Sequence, residues 1–375
     1  MHPLSMAMLG GLLGLLLLAA VASDAFEVML LPRRVRRQLR PVRIFFRSSW
    51  AIWSFLANRM RRGRGRDAFL SFYGPLSMVL LLSLWACGLV LSFALLHWAV
   101  RRGGSGTFWT ALYLSGSTFF TLGYGDIVPN NSWDKTLAII ESGAGLGYIA
   151  ATIGYLPVLY QLFSRRETRV IQLDPRAGSP PAAATLLCRH SEAEAVSELH
   201  SLLKDWEEWS AELVESHLSY PMLSYYRSQH DNQSWLSGLA CILDGCAILL
   251  TGVKGVKTFQ PRMTFAVGRL AAVELCRVFH LRPKAPASDR LPTEQFELLS
   301  QDLSDSGLLF SDVEGAEERL AALRATYEPF LAALSNHLLL RLAPWRSEVE
   351  SDNWHQSRGG TKARELIEAA PVQPD

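Results

Sequence analysis

Long apolar runs separated by short polar or basic stretches make up the amino-terminal half of the chain. Runs at 4–23, 69–98 and 133–163 are each long enough for a helix to cross a bilayer, which takes about 20 residues. The stretch 107–119 also has a helical pattern, but it is too short and too polar to span. After residue 190 apolar positions recur at helical spacing in shorter segments. The pattern predicts an all-α membrane protein that carries an additional α-helical domain.

The first apolar run has two interpretations. Ala20-Val21-Ala22 is typical of a signal-peptide cleavage site. However, no basic residue other than His2 precedes the run, and arginines follow it from Arg33 onward. Positive charge on the carboxyl side favours an uncleaved span (domain 1–32) with its amino terminus outside and a cytoplasmic exit.

Segment 33–66 holds twelve arginines and no acidic residue, although the net charge of the whole chain is only +2. Arginine at every third position, as found here from Arg34 to Arg43, also occurs in voltage-sensor helices. Pro41 interrupts this series, and the intervening residues are not consistently apolar. We therefore predict that Arg33 to Arg66 form a juxtamembrane segment that binds anionic lipid, within a domain of residues 33–68. The run 44–56, with its tryptophans, suits a helix lying in the membrane interface.

Between the second and third apolar runs lies the sequence Thr118-Phe-Phe-Thr-Leu-Gly-Tyr-Gly-Asp126. Gly123 and Gly125 tolerate a positive φ, which most residues do not. A backbone that alternates between ordinary and left-handed conformations can turn successive carbonyl oxygens toward one axis. Such a row of oxygens can replace the water shell of a cation.

The motif TLGYGD at 121–126 resembles the selectivity filter of the potassium-channel superfamily, whose usual form is TVGYGD. The order of outer helix, pore helix, filter and inner helix over 69–163 is also similar to that family, and we assign residues 69–166 to this pore module. The resemblance implies passive K⁺ transport through a homotetramer in the plasma (inner) membrane. The implied ion-coordinating residues are Thr121, Leu122, Gly123, Tyr124 and Gly125, with the K⁺ sites at Thr121, Leu122, Gly123 and Tyr124.

Several nearby residues are predicted to support the filter. Glu141 is the only acidic residue well inside the third apolar run, where a charge needs a partner or water. We expect it to lie behind the filter. The other predicted supporting residues are Thr118, Asp126, Trp109 and Tyr113.

Glycines in the third run allow two interpretations. Small residues let helices pack closely in lipid, and glycine or proline also marks places where helices bend. The candidates for a gating hinge are Gly143, Gly145, Gly147 and Pro157.

In the carboxyl-terminal half, the pattern predicts a linker at 167–190, which is irregular over the Pro/Gly/Ala-rich stretch 173–184. A helical cytoplasmic domain for assembly or regulation is predicted at 191–349, followed by a flexible tail at 350–375. Residues 234–252 are apolar enough to suggest a fourth span, but their length of about 18 residues and Asp244 favour a buried core helix. The helices of this domain are predicted at about 191–213, 234–251, 262–281, 293–303 and 314–342.

No pattern in the chain predicts a catalytic site, a cofactor other than the transported K⁺, or nucleic-acid binding. The five cysteines show no spacing typical of a metal site or a disulfide framework, so we predict free thiols. A K⁺-selective channel, not an enzyme, is therefore the leading hypothesis. The alternatives are a weakly selective cation channel and a membrane-anchored interaction protein with a vestigial pore.

Overall fold

The computed structural model describes residues 3–29, 41–101, 107–191, 193–230, 232–286 and 288–347. The chain divides into two compact units, residues 1–161 and 162–375. Over the described residues the secondary structure is helical without a strand, which confirms the predicted all-α class. The helices are α1 (Pro3–Met29), α2 (Pro41–Arg59), α3 (Arg64–Val100), α4 (Phe108–Phe119), α5 (Ser132–Ala177), α6 (Ala183–Cys188), α7 (Ala193–Ser219), a 3₁₀ helix (Pro221–Tyr225), α8 (Trp235–Leu250), α9 (Phe259–Phe279), α10 (Thr293–Asp305), α11 (Val313–Arg324) and α12 (Glu328–Leu338).

Three described helices are long and apolar enough to cross a membrane: Met6–Met29 within α1, the whole of α3, and α5. They coincide with the three predicted spans. Both α3 and α5 extend beyond the predicted bounds, and α5 ends 14 residues later than the expected Phe163. The predicted basic residues Arg33 to Arg40 and the tail 350–375 lie outside the described residues.

Small residues bring α1 close to α3 in the first unit. A Cβ added at Gly10 would lie 2.8 Å from the ring of Trp98, and one at Gly14 would lie 3.0 Å from the carbonyl oxygen of Ser92. Close approach of backbones through glycine is the usual basis of helix packing in lipid, where the hydrophobic effect does not drive helices together. α1 is therefore packed along α3.

Polar contacts fix α2 against α3. The Ser49 hydroxyl lies 2.9 Å from the Tyr73 hydroxyl, and the indole of Trp53 donates to the carbonyl of Phe69 at 3.2 Å. The rings of Trp53 and Phe69 also stack, with centroids 4.4 Å apart. α2 begins at Pro41, a position where proline is favourable because the first helical N–H has no intrahelical partner. Its location in the membrane interface stays a prediction.

In the second unit the core is built around α8, whose residues from Trp235 to Leu249 are all buried. Trp206 of α7 lies so close to Gly238 that a Cβ there would be 2.8 Å from the indole ring. α9 joins the same core, since the hydroxyl of Thr264 donates to the carbonyl of Leu203 at 2.8 Å. α8 is thus a core helix, and the described residues give no fourth span.

The predicted linker at 167–190 is wrong in its central feature. α5 continues to Ala177, and the alanine-rich stretch forms α6 from Ala183 to Cys188. Only the turn between these helices is irregular. The alanines and two leucines of α6 are buried against α8. Leu186 packs beside Gly245, where an added Cβ would lie 3.6 Å from the leucine side chain. Composition alone suggested a loop, but tertiary packing made a helix.

Two further predictions in this half are corrected. The single helix expected at 314–342 is two helices, because Pro329, which has no N–H, lies at the start of α12 after the turn at residues 325–327. Arg166, which was assigned to the pore module 69–166, is instead buried in the second unit. Its guanidinium donates to the carbonyls of Leu223 and Tyr226 at 2.8 and 2.7 Å.

Candidate functional site

The short helix α4 leads into the glycine motif. Thr107 caps its amino terminus by accepting a hydrogen bond from the N–H of Thr110 at 3.4 Å. One face of the helix is buried, including Ser115 and Phe119. Since a helix carries a partial negative charge at its carboxyl end, α4 brings that charge to the start of the motif.

Three alternate residues of the motif have left-handed backbone: Thr121 with φ 57°, Gly123 with φ 61° and Gly125 with φ 81°. The two glycines adopt the conformation that the sequence predicted for them. Thr121 is a non-glycine residue in the same region. It follows directly on the pore helix, where the N–H of Leu122 donates to the carbonyl of Ser117 at 2.8 Å. This bond anchors the first left-handed residue to the helix end.

Apolar side chains of the motif are exposed in the single chain. Leu122 and Tyr124 are 55% and 69% exposed, and Phe120 is 46% exposed. Within one chain these three side chains are therefore only partly covered. Trp109, expected to brace the motif, is also exposed, at 73%. Surfaces of this kind are common where further subunits complete the packing.

Tyr113, a second predicted support, does reach the motif. Its hydroxyl lies close enough to the carboxylate of Asp126, at the end of the glycine sequence, for the two groups to interact electrostatically. Thr118 also contacts the motif, because its carbonyl accepts from the N–H of Thr121 at 3.1 Å. These two contacts join the pore helix to both ends of the segment.

Gly145 of α5 lies directly against the end of the pore helix. A Cβ at this position would be 2.0 Å from the carbonyl oxygen of Phe119 and 2.8 Å from its carbonyl carbon. Phe119 is fully buried and packs against Tyr148, whose hydroxyl donates to the carbonyl of Leu82 at 2.6 Å. Glycine at 145 is therefore required for close approach of two backbones.

The other hinge candidates have a different environment. α5 is one continuous helix through Gly143, Gly147 and Pro157. No atom lies within 4 Å of a Cβ added at Gly143 or Gly147. Packing thus accounts for Gly145, whereas a hinge at the remaining positions stays a prediction.

A buried polar network lies behind the pore helix. We call it the histidine network, and it consists of His97, Ser115, Asp134 and Glu141, each with 0% exposure. His97 of α3 contacts Asp134 through Nδ1 and Glu141 through Nε2, at 2.5 and 2.9 Å. Glu141 also makes a short hydrogen bond to Ser115 of α4. Glu141 therefore has the partners that its position predicted.

Asp134 extends the network to the segment that follows the motif. Its Oδ2 accepts from Arg101 Nε at 3.0 Å and from the N–H of Asn130 at 2.9 Å. Arg101 also donates to the carbonyl of Val128 at 3.0 Å. Asn131 caps α5 by accepting from the N–H of Asp134 at 2.9 Å. The chain leaving the motif is thus held by charged side chains of α3 and α5.

Sequence analysis singled out Glu141 but missed His97, Ser115 and Asp134. One signal was available: Asp134 and Glu141 are seven residues apart, which places both carboxylates on one face of a helix. His97 gave no such signal, because a single histidine near the end of an apolar run is unremarkable on its own.

Comparisons with known proteins agree with this geometry. Residues 78–161 match a protein-family model described as an ion channel. The chain is also 25% identical over 211 residues to the uncharacterized membrane protein YdjJ of Bacillus subtilis (strain 168). That alignment covers 51% of this chain and 57% of YdjJ, so it spans little more than half of the relative's length. No solved structure matches the chain.

The matched segment contains most of α3, all of α4, the glycine motif and the first part of α5. It therefore includes every residue of the motif and of the histidine network. Residues 78–161 of this membrane protein are thus similar to an ion-channel family, which supports the resemblance to the potassium-channel superfamily.

Proposed function

We propose that this chain is the subunit of a K⁺-selective channel that conducts passively across the plasma (inner) membrane. The observation that carries the proposal is the alternation of left-handed residues at 121, 123 and 125 directly after the pore helix. Such a backbone suits a row of carbonyl oxygens that replaces the hydration shell of K⁺. Leu122 and Tyr124 supply the intervening carbonyls, and Thr121 can add its hydroxyl.

The functional unit in this proposal is a homotetramer. Each chain has one TLGYGD motif, and four such loops are needed to close a ring of carbonyls around one axis. The exposed side chains of Trp109, Leu122 and Tyr124 support this assignment, because neighbouring subunits would cover them. In the proposed orientation the amino terminus lies outside, and the arginines from Arg33 to Arg66 lie against anionic lipid on the cytoplasmic side.

The test is K⁺ against Na⁺ flux into liposomes that contain the purified full-length protein. We expect K⁺-selective flux in the wild type and its loss in Gly123→Ala, because an L side chain at φ 61° strains the filter backbone. Gly307→Ala is the matched control. It also places a side chain at a left-handed φ, 86°, with no atom within 4 Å, but it lies in the second unit.

Each outcome has a defined meaning. A side chain at either left-handed position should lower the free energy of unfolding by roughly 1–2 kcal/mol. Equal loss of flux in both variants would therefore indicate general destabilisation and would leave no specific role for Gly123. Equal flux of K⁺ and Na⁺ in the wild type would support a weakly selective cation channel. A stable tetramer that conducts neither ion, in the full chain and after truncation at Ala177, would contradict the channel and support a membrane-anchored interaction protein.

A further inference from the structure

The histidine network is a chain of hydrogen bonds whose hydrogens can be counted. It runs from the carbonyl of Val90 through Ser115 and Glu141 to His97 and Asp134. All four side chains are fully buried. Every hydrogen bond in this network needs one hydrogen atom, and each group can donate only as many hydrogens as it carries.

The hydroxyl of Ser115 has a single hydrogen. The carbonyl oxygen of Val90, at 2.7 Å, and Glu141 Oε1 both lie within hydrogen-bond distance of the Ser115 oxygen, and the one hydrogen can serve only one of them. Both contacts are satisfied together only when the hydroxyl donates to Val90 and the carboxyl group of Glu141 supplies the hydrogen for the second contact. This places a proton on Glu141 and leaves its Oε2 as an acceptor.

His97 lies between two acceptors, Glu141 Oε2 and Asp134 Oδ1. Its Nε2 donates to Glu141 Oε2 at 2.9 Å. Its Nδ1 faces Asp134 Oδ1, while Asp134 Oδ2 already accepts from Arg101 and from the N–H of Asn130. A carboxylate that accepts from a guanidinium and from a backbone N–H is ionised, so Nδ1, which faces its other oxygen, must donate. Both ring nitrogens therefore carry hydrogen.

The network lies between the pore helix, which precedes the glycine motif, and the segment that follows it. Ser115 precedes Ser117, whose carbonyl anchors the N–H of Leu122 at 2.8 Å. At the other end Asp134 binds Asn130, and its partner Arg101 binds Val128. His97 is the only side chain of the network that contacts both carboxylates.

We propose that His97 is a positioning residue of the filter, a doubly protonated imidazole that joins ionised Asp134 to neutral Glu141 and so fixes the pore helix and the filter exit. The proposal rests on the proposed function, ion selection at residues 121–125. It adds a protonation pattern for His97, Asp134 and Glu141. In this pattern one carboxyl group is neutral and the histidine is charged, whereas exposed groups of these types would be two ionised carboxylates and a neutral histidine at neutral pH.

The first test is independent of ion flux. Full-length protein with ¹⁵N-labelled histidine is reconstituted in lipid bilayers, and the His97 signals are identified by their loss in His97→Gln. At neutral pH we expect both His97 nitrogens to show bonded hydrogen, although an exposed histidine is largely neutral there. A His97 spectrum with one protonated and one bare nitrogen would overturn the proposal, whether or not the protein conducts.

The second test compares two isosteric substitutions for their effect on the preference for K⁺ over Na⁺. Glu141→Gln retains the hydrogen-bond pattern of a neutral acid, since its amide can donate to Ser115 and its oxygen can accept from His97. Asp134→Asn cannot accept from His97, Arg101 and Asn130 together, because one oxygen is replaced by a donor. We expect the preference to fall at least about tenfold more in Asp134→Asn and His97→Gln than in Glu141→Gln, which corresponds to about 1.4 kcal/mol.

Tetramer content after purification is measured for each variant, so that a failure to fold is distinguished from altered selection. Equal losses in assembled Glu141→Gln and Asp134→Asn would overturn the assigned protonation pattern. Unchanged selection in assembled His97→Gln would overturn the positioning role. If Asp134→Asn does not assemble, the ¹⁵N spectrum of the wild type alone tests the assigned protonation pattern. Absence of selective flux in the wild type would contradict the proposed function and leave the spectroscopic test intact.

Discussion

At the scale of the residue, Gly145 shows how one missing side chain defines a contact. Its backbone touches the carbonyl of Phe119, at the last turn of the pore helix. In the sequence it is one of several glycines in the third apolar run, and a hinge was an equally good interpretation. Only the position of Phe119 distinguishes it from Gly143, which has no neighbour within 4 Å.

Substitution tests this distinction. Gly145→Ala places a methyl group 2.0 Å from the Phe119 oxygen, so the backbones of α4 and α5 must separate. We expect a loss of about 1–3 kcal/mol in stability, as for other overpacked sites, together with reduced K⁺ selectivity. The measurements are the thermal midpoint in detergent and the flux ratio in liposomes. Gly143→Ala is the matched control on the same helix, and a similar loss there would contradict the packing role.

At the scale of the element, α8 shows how neighbours determine whether a helix spans or is buried. Its residues are as apolar as those of a membrane span, but 16 residues are too few to cross a bilayer. Packing of α6, α7, α9, α11 and α12 around it buries every residue from Trp235 to Leu249. Close contacts in this core involve two glycines with different surroundings.

The two glycines give a second prediction. Gly238→Ala should destabilise the helical unit, because the new Cβ would lie 2.8 Å from the ring of Trp206, which is rigid and 1% exposed. We expect a cost of about 1–3 kcal/mol. Gly245→Ala on the same helix meets only an ordinary contact, 3.6 Å from Leu186, and should gain up to about 1 kcal/mol from helix propensity.

Chemical denaturation followed by tryptophan fluorescence compares the two variants, since Trp206 and Trp235 lie in this core. Equal midpoints for Gly238→Ala and Gly245→Ala would show that the core relaxes around the methyl group. That result would contradict the close packing between α7 and α8.

At the scale of the whole molecule, the second unit contains buried histidines that make its stability depend on pH. Burial lowers the pKa of His217 well below its ordinary value, and the positive charge of Arg166 lowers it further. His217 Nδ1 donates to the carbonyl of Leu213 at 2.9 Å, so Nε2 is free to accept from Arg166. Burial also lowers the pKa of His190 and of His337.

The sign of the effect follows from proton binding. Below the ordinary histidine pKa of about 6.5 the unfolded chain takes up a proton that folded His217 does not, so unfolding becomes more favourable as pH falls. Stability should be constant above that pH and decline below it by up to about 1.4 kcal/mol per pH unit for this residue.

Thermal unfolding of the full-length protein between about pH 7.5 and about pH 5.5 measures this slope. His217→Gln should flatten the decline, while the slope contributed by His190 and His337 remains. His230→Gln, at an exposed position, is the control for the substitution itself. An unchanged slope in His217→Gln would contradict a neutral buried His217.

Local chemistry was sufficient to predict the three spans, the pore helix and the glycine motif. Span length depends only on the number of consecutive apolar residues, and positive φ at Gly123 and Gly125 depends only on the missing Cβ. The bounds of α4 agree with the prediction because Thr107 provides a cap within the same segment. These features need no distant contact, so the sequence by itself determined them.

Other features arise between residues far apart in the chain. The fully buried bridge from His97 to Asp134 and Glu141 joins positions 37 and 44 residues apart, and α6 is a helix because its alanines find a buried site. Arg166 follows the third apolar run directly in the sequence, yet carbonyls 57 and 60 residues away accept its hydrogen bonds. Burial and hydrogen-bond partners are properties of the folded chain, so only the tertiary structure could decide that a histidine bridges two carboxylates and that a glycine marks a contact.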